Sequence, residues 1–149
     1  MVPKILAVLA ACGCGAAAQA GILDPIGTCT LTVGASGRIA MSGDGMTMGS
    51  QVGDGAAATL TVVGLNLSPK LTFSPLVING PAGWSGSPTV LMSVDASVSG
   101  RQQPYTSAAF SILPAAVLDV LSINAKVVNP GGFRVGSYSG SAMVTCEAA

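Results

Sequence analysis

The sequence predicts an all-β, antiparallel fold of seven to eight short strands, and three observations carry that prediction. Apolar residues recur with a period of two, the mark of half-buried strands, and no window sustains a 3.6-residue apolar period. Turn chemistry interrupts the pattern at short, regular intervals, as in a sandwich or barrel. Half of the 149 residues are apolar but only 4% aromatic, so Val, Leu, Ile, Ala and Met must build the core.

The first 20 residues read differently. Lys4 supplies a positive start, Ile5 to Ala11 is uninterrupted apolar chain, and Ala18-Gln19-Ala20 is a small-x-small cleavage pattern. The stretch is too short for a spanning helix, which needs roughly 20 apolar residues. Residues 1–20 are therefore expected to be a signal peptide, cut after Ala20, and 21–149 a single domain. Leu9-Ala10-Ala11-Cys12 also matches a lipoprotein signal, so lipidation at Cys12 stands as the alternative. Only eleven residues precede Cys12, short for that role.

Each element follows from its pattern. In Thr28–Val33 (TCTLTV), Cys29, Leu31 and Val33 share one face and three threonines the other. GASG turns the chain into Arg38–Ser42. SGDGMTMGSQVGDGAAA is glycine-rich and expected to be irregular, too flexible to pack throughout. Strands resume at Ala58–Leu65 and Lys70–Leu76, with NLSP as the turn between them. NGPAGWSGSP is a loop. Thr89–Val98, the turn SGRQQP and Tyr105–Leu113 come next. From Ala116 to Val128, Leu121, Ile123, Ala125 and Val127 alternate with Ser122, Asn124 and Lys126; LPAAVLDVL could hold one or two helical turns at most. Asn129-Pro130-Gly131-Gly132 breaks the chain. In the last element Tyr138, Gly140, Ala142, Val144 and Cys146 share a face.

Composition bounds the function. Six basic and six acidic residues cancel, with no histidine, and no basic patch is present to meet phosphates, so nucleic acid is not an expected partner. Charged residues make up 8% against the usual 25% or so; Gly, Ser and Thr replace them, as suits an extracytoplasmic β-protein that packs against something. After cleavage two cysteines remain, Cys29 and Cys146, and an even pair in an exported chain reads as a disulfide. If their strands are neighbours, the sulfurs meet across the core and close a loop of over 100 residues.

Chemistry is sparse. Without histidine a hydrolytic triad lacks its usual base, and Gly-Ser-Tyr-Ser-Gly is not a nucleophile elbow. Lys70 and Lys126 fit solvated strand faces. Asp24, Asp44, Asp54, Asp95, Asp119 and Glu147 are scattered without an acid–base pair. The sequence thus gives no catalytic residues, metal ligands or cofactor, and no support for an enzyme. Gly43-Asp44-Gly45 and Gly53-Asp54-Gly55 offer too few oxygens for calcium and read as turns. Asn66-Leu67-Ser68, followed by Pro69, matches a glycan acceptor but is also read as a turn. Trp84, in its glycine-rich loop, either stacks on a ligand or partner or folds back over the end of the sandwich. Tyr105 is a second candidate contact. Tyr138, flanked by Gly136 and Gly140, is expected to anchor the last turn through its hydroxyl.

NPGGFRVGSYSGSAMVTC, with ATLTVVG, LTFSPLVING and TVLMSV before it, resembles an exported bacterial pilin-like family, similar in look to spore-coat-U-type and chaperone–usher subunits. The likeness spans residues 29–147. It implies an immunoglobulin-like sandwich that builds or decorates a cell-surface structure (fimbrial or adhesive), secreted, on the surface or in the periplasm. Its partners would be sibling subunits or other surface proteins through strand-edge pairing, with an export chaperone. A donated strand must supply alternating apolar residues along an open groove; GILDPIGT before Cys29 is short for that and carries Pro25 in its middle. A cysteine pair at the two chain ends also departs from the bridge usual in pilins. The alternative is a monomeric periplasmic or outer-membrane lipid-anchored binding module presenting the Trp84 loop.

Overall fold

The computed structural model describes residues 4–5 and 27–149. The proposed cleavage site and Cys12 lie outside them. The described chain is all-β, with no helix: β1 Lys4–Ile5, β2 Thr28–Val33, β3 Arg38–Met41, β4 Thr47–Gly49, β5 Ala58–Leu65, β6 Pro69–Phe73, β7 Val77–Asn79, β8 Thr89–Ala96, β9 Gln102–Thr106, β10 Phe110–Ile112, β11 Leu118–Val128, β12 Ser139–Ser141 and β13 Val144–Ala148.

The eleven-residue β11 is the hub of the larger sheet. One side pairs with β8 over its last eight residues, and β8 continues to β9. The other pairs with β5 near its start and with β4 near its end. β2 lies outside β5, and β3 outside β4. Opposite stands the smaller layer, in which β6 is flanked by β10 and β13. The β7–β12 pair extends it past a one-residue slip in register, Val144 facing Phe73 but Ser141 facing Val77.

The alternation explains the layers. Ala58, Leu60 and Val62 of β5, Leu121, Ile123, Ala125 and Val127 of β11, and Met92 and Val94 of β8 all point inward and are buried. They meet Leu71 and Phe73 of β6, Ile112 of β10 and Val144 of β13 in one apolar cluster. A void of about 10 Å³ lies between Phe73, Leu76, Met92, Ile123, Ala142 and Val144. It has room for one water at most, too little for a ligand.

Several expected elements divide or shift. The glycine-rich run after Ser42 is not irregular throughout: it contains β4, with Met48 3% and Ser50 4% exposed, because β11 presents an unpaired edge beyond the end of β5. The stretch LPAAVLDVL takes no helical turn; Asp119 already lies in β11. Tyr105–Leu113 splits into β9 and β10, which belong to different sheets, and Gln102 and Gln103 of the expected turn join β9. Pro104 is tolerated there because β9 is an edge strand, with two residues bulging opposite Ser93. The last element changes partner midway, β12 pairing with β7 and β13 with β6. Such switches turn seven or eight long runs into shorter strands.

Candidate functional site

Cys29 of β2 and Cys146 of β13 form a disulfide, with their Cα atoms 6.3 Å apart across 117 residues of sequence. The two strands are not hydrogen-bonded neighbours. Each is the outer strand of its own sheet, so the bridge staples the layers along one side of the sandwich.

At the end of the sandwich beyond the last residues of β11, the chain builds an aromatic cap. Trp84 stacks on Phe133 with ring centres 6.2 Å apart and meets the edge of Tyr138 at 5.3 Å; Phe133 and Tyr138 are 5.5 Å apart. Glycines admit the indole: a Cβ at Gly80 would run into the Trp84 ring, and one at Gly86 would lie 2.7 Å from it. Gly136 packs against Pro81 in the same way. The Arg134 guanidinium donates to the Gly83 carbonyl at 2.9 Å and holds the loop down.

Tyr138 is 2% exposed, and its hydroxyl donates to the Arg134 carbonyl at 2.9 Å. Burial raises the pKa of this phenol, with Arg134 opposing. Gly140 is buried in β12 opposite Ile78. The turn at Asn129 closes through the Gly132 amide, 2.8 Å from the Asn129 carbonyl, with Gly132 at φ 75°, where glycine is favoured. The amides of Asn129 and Phe133 donate to the Met46 and Gly45 carbonyls, which joins the cap to the β3–β4 turn. Trp84 is therefore half-buried and clamped rather than projecting from its loop.

Tyr105 lies elsewhere, on the outer face of the large sheet. Its hydroxyl donates to Gln51 Oε1 at 2.9 Å. Burial, with a smaller push from the Asp95 carboxylate, raises its pKa against the Ser93 hydroxyl. On the same face the Ser50 hydroxyl donates to Asn124 Oδ1 at 2.9 Å and accepts from the Ala125 amide at 3.0 Å. This buried pair fastens the chain to β11 between β4 and β5.

Asp119 is the buried carboxylate that sequence reasoning passed over. It is 0% exposed and accepts the amides of Val98 (2.9 Å), Ser99 (3.2 Å) and Ala115 (2.9 Å). Burial pushes its pKa up, but the Ser99 hydroxyl and these amides outweigh it and hold the group below the ordinary carboxylate range. One signal was present: Asp119 occupies the inward parity of Leu121 and Ile123. Phe133 and Arg134, the other cap residues, carried no periodic signal.

Three other carboxylates, Asp44, Asp54 and Glu147, serve turns and ion pairs. Asp44 accepts from the Ser42 hydroxyl and the Met46 amide, which lower its pKa. Arg38 bonds the Asp54 carbonyl and stands 3.5 Å from its carboxylate. Lys70 pairs with Glu147 at 2.9 Å. Among the described residues no three Asp, Glu or Cys gather into a metal site, and no helix is long and apolar enough to cross a membrane. The chain matches no family model, no curated protein and no solved structure.

Proposed function

We propose that this chain is an exported, non-catalytic structural or adhesive subunit of the bacterial cell surface, a pilin-like sandwich that works by pairing with sibling subunits or other surface proteins. The Cys29–Cys146 disulfide carries the reading. A bridge joining the first and last strands of the sandwich persists in an oxidising compartment and is rare in a reducing one, so it is compatible with an extracytoplasmic location.

Three further features support it. The outer face of the large sheet carries Thr30 and Thr32 from β2, Thr59 and Thr61 from β5 and Ser122 from β11, a hydroxyl surface suited to packing against a neighbour rather than to repelling one. Asp119, the fully buried carboxylate, is committed to backbone amides and has no acid–base partner there. The Trp84 indole is spent on Phe133 and Tyr138, which favours a subunit over a module that offers this ring to a ligand. The disulfide also bears on the manner of assembly. A donated strand entering between β2 and β13 would have to part a covalent staple, so pairing at an open sheet edge is the mode that fits.

The test is fractionation of the native host. Antibody to the chain should detect it in material sheared from the surface, in particles larger than a monomer and with both cysteines oxidised. Recovery as a reduced cytoplasmic monomer would overturn the proposal.

A further inference from the structure

We infer that β3 is the docking edge of the large sheet, and that its occupant in the chain cut after Ala20 is a second copy of this chain, joined β3 to β3 in antiparallel fashion. The inference rests on the export reading, since it is cleavage that uncovers the edge.

An exposed edge is a template for another strand unless something blunts it, and the edges of β2, β9, β10 and β13 are each blunted or tied. β9 contains Pro104 and bulges opposite Ser93. β10 has three residues. β2 and β13 are tied to one another by the disulfide. β3 has no proline and no bulge in its pairing with β4.

The backbone of β3 is set for pairing. The Arg38 amide and carbonyl bond Ala56, and the Ser42 amide bonds the Thr47 carbonyl, both on the inner side. Alternation then turns the N–H and C=O of Ile39 and Met41 outward. Ile39 is anchored, 2% exposed, whereas Met41 is 44% and nearby Met46 46% exposed, an apolar margin beside Arg38, whose guanidinium is engaged by Asp54. The edge is also occupied in the full chain: Lys4–Ile5 pairs with it, Lys4 opposite Ile39 and Ile5 opposite Arg38. Those two residues belong to the segment expected to leave. Removing them vacates a strand-binding edge on every copy, and two such edges satisfy one another about a two-fold axis. One sheet would then run through both copies, with the disulfide side and the aromatic cap left free for further contacts.

The test compares the full chain with the chain beginning at Gly21, whose strands β2–β13 hold the whole apolar cluster. Sedimentation velocity should give a monomer for the first and a doubled mass for the second, with a concentration-dependent midpoint. In the shorter chain Met41→Pro removes one outward N–H, and Met41→Lys sets like charges against each other across the axis; each should weaken dimerisation at least tenfold while the oxidised fold persists. The lysine variant keeps the test valid if the proline variant does not fold. A Gly21 chain that stays monomeric, or a dimer indifferent to both substitutions, would overturn the inference. If larger surface assemblies were still recovered from the host, the docking edge would be wrong while the subunit reading survived.

Discussion

At the residue scale, two buried polar groups do work that their neighbours cannot. Asp119 gathers the amides that begin the β8–β9 turn and the approach to β11. Asp119→Asn keeps the size but sets an amide NH₂ against donors, leaving at least one buried N–H unmatched. We expect a loss of about 2–3 kcal/mol in denaturant unfolding. The carboxyl's folded pKa lies below its unfolded value, so its contribution is complete above the unfolded pKa and is lost as pH falls through the folded one. Wild-type stability should therefore decline into the acid range below pH 4 or so, and the Asn variant should show a shallower decline there. Tyr138→Phe retains the ring contacts and removes one hydrogen bond to the Arg134 carbonyl. It should cost about 1 kcal/mol, with the Trp84 fluorescence maximum unchanged.

At the element scale, the cap is a packing problem solved by glycine. A methyl at Gly80 meets both the Trp84 ring and, at 2.9 Å, Tyr138. Gly80→Ala should destabilise by about 1–3 kcal/mol and, unlike Tyr138→Phe, should red-shift Trp84 emission as the indole is pushed outward. This scale also shows what was legible in the sequence. Strands β2 and β5 lie where the period of two places them, because each keeps its partners along its length, β5 with a buried inner face and β2 with Cys29 and Leu31 half-buried on the same side. β4 was hidden, since a three-residue strand among glycines has no period; it exists because β11 outruns β5 and needs a partner there. The break between β12 and β13 was hidden too, for the inward parity from Tyr138 to Cys146 is continuous while the hydrogen-bonded partner changes. Periodicity reports the face a side chain takes and is silent on which strand lies beside it. The aromatic cap was half legible: Trp84 and Tyr138 stood out as large residues among glycines, but their meeting depends on a turn that also brings in Phe133.

At the scale of the whole molecule, the disulfide is the main long-range constraint. Closing 117 residues removes unfolded-state entropy worth about 4–5 kcal/mol by the loop-closure argument. The double variant Cys29→Ser/Cys146→Ser should fall short of the wild type by roughly that amount in urea, and β2, which among the described strands is hydrogen-bonded to β5 alone, should be the first strand to exchange its amides. The neutral, hydroxyl-covered surface belongs to the same picture. Six charges of each sign give little long-range repulsion between copies, so association is left to sheet edges and close packing.

The measurement that bears most directly on the central claim, an exported and disulfide-closed subunit, is the intact mass of the chain from its native host, taken with and without reductant. A chain beginning at Gly21, whose mass rises by two hydrogen atoms on reduction, is the expected result. A chain that retains residues 1–20 with free thiols at Cys29 and Cys146 would contradict it, and one beginning at an acylated Cys12 would replace the freely assembling subunit with a tethered one.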